Sequence, residues 1–244
     1  MTGARPALHV AVLAPQWLDL HADTGNAEIL IARAGWEGVE VTVVDLDEGA
    51  PPAVDIWLAG DGDDATLPVA FDALRAQAPA LEASVADGAA VLAVGLGWHL
   101  LATAHEITPG LWHAGLGVFA GEAPLLPRRA SGELVTASPW GPMFGYENHA
   151  RGHRPGAEEN AWGRVASGVG NGDRTEGVHA GALVGTHLHG PVLAQNPALA
   201  DWLLERALLR RHGIAYSARS AEAKRVDELS AESRRRAIRS REVR

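Results

Sequence analysis

The sequence predicts an α/β protein built on a parallel sheet with helices on both faces. Three observations carry this. Short, apolar, β-branched runs recur through the first 94 residues, and each is too short for a helix. Segments with apolar residues at helical spacing separate them, and strand–helix alternation of this kind gives a parallel sheet. Finally, "AVLAVGLGWHLLATA" (residues 90–104) runs from a strand through a sharp glycine turn into a helix, the form in which many enzymes present a nucleophile.

In chain order, "LHVAVLA" (8–14) reads as the first strand. "GNAEILIARAGWEG" (25–38) reads as a helix, with Ile29, Leu30, Ala32 and Ala34 at helical spacing and Gly35 and Gly38 closing it. "VEVTVVDL" (39–46) and "VDIWLAG" (54–60) are the second and third strands, the latter running into the turn "GDGDD". Residues 67–88 are mostly helix and "AAVLAV" (89–94) is the fourth strand. From about 115 to 188, short β-like pieces lie among Gly, Pro and Asn; "ELVTAS" and "ALVGTHLHGPVL" are the clearest. "NPALADWLLERALLRRHG" (196–213) is a helix that Asn196 can cap, with Pro197 suited to its first position. The pattern divides the chain into a domain over 1–213 and a charged tail over 214–244, helical or disordered.

Composition narrows the function. The chain has 244 residues, 47% of them hydrophobic, enough for one large core. Its net charge of −9 is uneven: from residue 215 on, nine Lys/Arg oppose five Asp/Glu, so the body carries −13. An acidic body excludes general nucleic-acid binding, which needs basic surface to replace phosphate counterions. With no cysteine there is no disulfide, thiolate metal site or thiol nucleophile. The N-terminal apolar stretch is too short for a membrane span or a signal peptide, so a cytoplasmic location is expected.

Four stretches hold candidate chemistry. At the turn, Gly95 tolerates the strained backbone of a nucleophile elbow but offers no reactive atom; Leu96 N–H would stand as an oxyanion donor. In "GTHLHGP" (185–191), His187 and His189 at i and i+2 would share a strand face, as a base with a neighbour. No third ligand lies nearby in sequence, so no metal is expected. "GYENHARGH" (145–153) places Glu147, Asn148 and His149 among glycines, and "GVGNGDRTEG" (168–177) places Glu176 likewise; turn propensity accounts for the glycines and asparagines but less simply for these acids and histidines. "AGDGDD" (59–64) follows a strand at the sheet edge where ligands bind, and it lacks the spacing of a calcium loop.

In combination, "HADTGN" (21–26), "AGDGDD", "VGLGWHLL" (94–101), "GYENHARG", "GVGNGDRTEG", "GTHLHGP" and "NPALADWLL" (196–204) resemble the cobyric acid synthase-like class I glutamine amidotransferases over residues 8–206. The resemblance is nearest to those members that supply ammonia to a Mur ligase-like (MurT-type) ATPase for amidating the peptidoglycan precursor. It implies a flavodoxin-like three-layer sandwich with a central, mostly parallel sheet, and no cofactor. It also implies that His189 is the catalytic histidine, that Gly60, Asp61 and Gly62 form the glycine-rich oxyanion loop, and that Arg129 lies near an arginine important in the family.

The family's "YGDxGN" is here "HADTGN", so Asp23, Gly25 and Asn26 match while His21 and Ala22 do not. Its "CGGYQLLG" is "GLGWHLLA": Gly95 stands at the nucleophilic cysteine, Leu96 at a glycine, and His99 at a glutamine near the substrate. His187 replaces a tyrosine. Without a thiolate the γ-glutamyl thioester cannot form. The resemblance therefore implies a glutaminase-dead subunit that partners or scaffolds a Mur ligase-like ATPase. Two alternatives stand beside it. One is an active glutaminase with a natural cysteine at position 95, which the joint changes at 96 and 99 oppose. The other is a repurposed pocket in which His99, His187 and His189 hold a metal or another ligand.

Overall fold

The computed structural model describes residues 5–46 and 53–242. The expected domain limit at residue 1 and the last two residues of the tail lie outside that range.

The first half alternates as its periodicity predicts: β1 (Ala7–Leu13), α1 (Gly25–Trp36), β2 (Glu40–Val44), β3 (Ile56–Ala59), α2 (Leu67–Ala86), β4 (Ala90–Val94) and α3 (Gly95–Leu101). The second half is mostly strand: β5 (Ala104–Thr108), β6 (Leu111–Ala114), β7 (Glu122–Ala123), β8 (Leu125–Ser138), β9 (Gly141–Arg151), β10 (Gly163–Ser167), β11 (Thr175–Glu176), β12 (Val178–Ala180) and β13 (Leu183–Thr186). It ends in α4 (Val192–Gln195), α5 (Pro197–His212) and α6 (Ala221–Glu242).

The central sheet has the order β12-β13-β4-β3-β1-β2, parallel except for β12. β3 and β4 are buried at every position, as strands covered on both faces must be. Alternate residues feed two cores. Leu8, Val10, Ile56, Leu58 and Leu92 pack with Leu30, Leu203 and Leu204 on one face. Leu13, Trp57 and Val91 pack with Leu74, Leu81 and Trp98 on the other. A four-stranded antiparallel sheet, β11-β10-β8-β9, and a three-stranded sheet, β6-β5-β7, flank this sandwich.

Two local expectations are corrected. "ALVGTHLHGPVL" is a strand only as far as Thr186. Beyond it, His187 N–H donates to Glu176 Oε1 and Leu188 N–H to Thr186 Oγ1, so side chains take the donors a sheet ladder would need. His187 and His189 therefore do not share a strand face; the chain turns at Gly190 (φ 77°) into α4. Asn196 precedes α5 but makes no side-chain cap. Its amide instead clasps β9, accepting from Phe144 N–H at 3.0 Å and donating to Phe144 O at 2.9 Å and Val192 O at 2.8 Å.

From Ala221 the tail is a helix packed on the body. The buried Arg33 side chain pairs with Asp201 of α5 at 2.7 Å and Asp227 of α6 at 2.9 Å, and Ser230 Oγ donates to Ala194 O at 3.0 Å. Among the described residues, no helix is long and apolar enough to cross a membrane.

Candidate functional site

Parallel pairing of β1, β3, β4 and β13 brings their carboxyl ends to one edge. There the chain passes from β4 into α3 at Gly95, whose φ of 51° lies in the left-handed region that glycine adopts without strain. Gly97 N–H donates to Gly60 O at 3.1 Å and ties the loop after β3 against the turn. The loop after β1 delivers His21 and Asp23, and the segment after β13 delivers His189. Ala22, where the resemblance places a glycine, is held at φ 59°, a cost of about 1 kcal/mol for a residue with a Cβ.

Asp61 takes the space a side chain at position 95 would need. A Cβ on Gly95 would run into Asp61 Oδ1, and would stand 2.6 Å from Asp61 Cγ and 2.7 Å from His189 Cε1. Asp61 Oδ1 accepts from Leu96 N–H at 2.6 Å, so the expected oxyanion donor is already engaged by a carboxylate. Asp61 N–H in turn donates to Asp23 Oδ2 at 2.8 Å. On the other side of the carboxylate, Oδ2 lies 3.3 Å from His21 Nε2 and 3.8 Å from His189 Nε2, and the two imidazole rings are 4.6 Å apart.

Burial and charge set the protonation states. Burial pushes His189 down to about 4, against the opposing pull of the Asp61 charge, so this imidazole is neutral at pH 7. Burial works to raise Asp61, but the nearness of His21 and His189 and the Leu96 N–H outweigh that and keep it below the ordinary carboxylate range. The adjacent Asp61 carboxylate in turn raises His21. Burial lifts Asp23 to about 6, with the Asp61 charge adding to it and the Asp61 N–H and His21 opposing it.

His99 and His187 lie deeper, in a second group that does not include His189. His99 Nε2 and His187 Nε2 are 3.1 Å apart, and His149 stacks on His187 with ring centroids 3.9 Å apart. Glu176 closes this group: Oε1 accepts from His187 N–H at 2.7 Å and Thr186 Oγ1 at 2.8 Å, while Oε2 lies 3.2 Å from His187 Nδ1. Glu147 accepts from Val169 N–H at 2.8 Å and Gly170 N–H at 2.9 Å and faces His149 Nε2 at 3.3 Å. Burial holds His99 and His187 well below the ordinary histidine range. His99, His187 and His189 therefore do not converge on one point as a three-histidine metal site requires. Among the described residues, the group that does converge is His21, Asp61 and His189, which the sequence reading did not assemble. Its signal was present in "HADTGN", where a histidine stands in place of the family's tyrosine.

Arg129 and Asn148 form the rim. Arg129 donates to Asn148 Oδ1 at 2.8 Å, Asn148 O at 3.0 Å and Asp64 Oδ2 at 3.2 Å. The cavity that Asp61, Gly62, Leu96, His99, Arg129 and Asn148 help to enclose has a volume of only about 10 Å³, space for one water and too little for a glutamine side chain. A larger cavity of about 840 Å³, walled by Phe71, Ile107, Trp112 and Leu125, shares Asp64 and Arg151 with the rim but does not include Gly95 or His189.

Known proteins agree with this architecture. Residues 9–197 match the CobB/CobQ-like glutamine amidotransferase domain. The GatD subunit of lipid II isoglutaminyl synthase (glutamine-hydrolyzing) from Staphylococcus aureus (strain N315) is 32% identical over 205 residues, 82% of this chain and 83% of that protein. GatD of the corresponding synthase from Streptococcus pneumoniae (strain ATCC BAA-255 / R6) is 29% identical over 84% of this chain and 82% of its own length. Among solved structures, a glutamine amidotransferase superposes with a TM-score of 0.58 at 21% identity, covering 81% of this chain and 98% of its own. PurLQS from Thermotoga maritima gives 0.56 at 15% identity, covering 85% and 97%. The match over most of the chain, on a fold shared with these structures, places this protein in the CobB/CobQ-like glutamine amidotransferase family.

Proposed function

We propose that this chain is the amidotransferase-like subunit of a lipid II isoglutaminyl synthase-type complex and that it does not hydrolyse glutamine. The observation that carries the reading is the Asp61 carboxylate, which fills the space of a side chain at position 95 and occupies the Leu96 N–H. Class I glutaminases need a thiolate to form the γ-glutamyl thioester and a free donor to stabilise the oxyanion. Here no thiol is present, His189 has no nucleophile to activate, and Gly60, Asp61 and Gly62 surround a filled space. Leu96 and His99 close the remaining volume, and Arg129 is committed to the rim.

The retained function is then structural. The chain docks a Mur ligase-like ATPase, in the cytoplasm where ATP is available, and the ligase draws on free ammonia to amidate the peptidoglycan precursor. Its relatives are subunits of a lipid II isoglutaminyl synthase and match over most of both chains, which supports a partner subunit of that class. The test is glutamate release from glutamine by the purified chain, alone and with its copurified ligase, beside a heat-killed control. We expect no release above the control, and ligase turnover with ammonium but not with glutamine. Glutamine-driven turnover would overturn the proposal.

A further inference from the structure

The filled elbow leaves a set of unpaired polar atoms. Asp61 Oδ2, His21 Nε2 and both ring nitrogens of His189 are buried and have no hydrogen-bond partner. Asp61 and His189 are 3% and 2% exposed, so water does not satisfy them. Buried polar atoms left in this state cost about 1 to 3 kcal/mol each unless something binds them. All three side chains offer a ligand atom within 4.8 Å of one another, with His21 and His189 both facing one carboxylate oxygen.

We propose that His21, Asp61 and His189 form a site for one divalent transition-metal ion of the zinc class. The separations fit. Ligand atoms about 2.0–2.1 Å from a tetrahedral zinc ion lie about 3.3 Å from each other, beside the 3.3 Å and 3.8 Å found from Asp61 Oδ2 to His21 Nε2 and His189 Nε2. A modest swing of one imidazole closes the remainder. Two imidazoles and one carboxylate favour zinc, cobalt or nickel over magnesium and calcium, which take all-oxygen sets. Outer contacts hold the carboxylate in place: Leu96 N–H fixes Asp61 Oδ1, and Asp23 fixes the Asp61 backbone. Such partners orient a metal ligand and sharpen its affinity. Gly95 contributes the space, since any side chain there would displace Asp61. Access is from the His21 side, where that side chain is 22% exposed, and this leaves the fourth position for water. Inactivation of the glutaminase and construction of the metal site are, on this account, the same rearrangement.

The experiment uses the full chain, tag-free and stripped with a chelator, titrated with zinc by calorimetry and with cobalt by visible absorption. We expect one equivalent per chain and a rise in melting temperature with zinc. His21→Ala and Asp61→Asn should each weaken binding by at least about tenfold, as even the loss of an outer contact does. His113→Ala, an exposed histidine outside the group, should leave it unchanged. His21→Ala removes a side chain at the rim, so it tests the site even if Asp61→Asn disturbs the fold. Failure to take up a stoichiometric ion, or uptake that His21→Ala and Asp61→Asn leave intact, would overturn the proposal. Neither result bears on glutamate release, so the metal site and the ligase-partner reading fail independently.

Discussion

Two histidine groups meet near Gly95, and they differ in how their polar atoms are satisfied. In the inner group, His187 has the Glu176 carboxylate on its backbone and its ring, and His149 stands between Glu147 and the carbonyl of Arg151. In the outer group, Asp61 Oδ2 and both nitrogens of His189 lack hydrogen-bond partners. Together they form an inner and an outer half of the site. The inner half has become core, packed and internally bonded. The outer half has kept open valences at the carboxyl edge of the sheet, where ligands bind in this class of fold. The two halves are thus under different constraints: one is read by stability, the other by what it can bind.

The largest effect should come from breaking the inner group. Glu176→Ala strips the acceptors from Thr186 Oγ1 and His187 N–H inside a fully buried space. We expect a loss of about 3 to 5 kcal/mol in urea unfolding. Glu176→Gln, which keeps an acceptor oxygen, should cost about 1 kcal/mol. If alanine is as mild as glutamine, the inner group is not the stability element described.

Restoring a thiol tests the outer group at a smaller scale. Gly95→Cys puts a Cβ against Asp61 Oδ1 at a left-handed position, so it should destabilise by about 2 to 3 kcal/mol. Adding Asp61→Gly should recover most of that loss, a coupling a double-mutant cycle measures directly. Additive effects would mean that Asp61 does not hold the space of the missing side chain.

Much of this was legible in the sequence, for physical reasons that also mark its limits. The parallel strands were visible because β3 and β4, covered on both faces, are continuous apolar runs. The long β8–β9 hairpin was mostly invisible: only "ELVTAS" in β8 shows a strand pattern, because "LLPRRASG" before it mixes charge, proline and glycine. In α6, few apolar residues mark a buried face, and its anchors are polar contacts with Arg33 and Ala194. At the site, the lack of a side chain at Gly95 is read directly from the sequence. The carboxylate that fills its space is not, since Asp61 lies 34 residues away and only the fold brings its carboxylate against position 95. His21 and Asp23 went unassembled for the same reason: the sequence places them in a loop, and only the sheet order brings that loop to His189.

The smallest effect separates the two groups by pH. His99 in the inner group and His105 at the larger cavity are depressed by burial, His105 to about 4. A histidine whose folded value lies below its unfolded value of about 6.5 contributes full stability above that pH. On acidification the unfolded chain takes up the proton first, so stability falls from pH 6.5 downward, by up to about 1.4 kcal/mol per pH unit for each such group. Asp23, raised to about 6, works the other way: the folded chain binds its proton first, which offsets part of the loss between about pH 6 and 4. The net slope of the wild type therefore mixes both groups, and a difference is needed to separate them. His99→Gln removes one depressed histidine and leaves Asp23 in place. Its stability measured from pH 7 to 5 should fall less steeply than the wild type, by up to the share of one proton. Identical slopes would mean that His99 is not held neutral by the inner group, and that the contrast between a packed half and an open half does not extend to its protons.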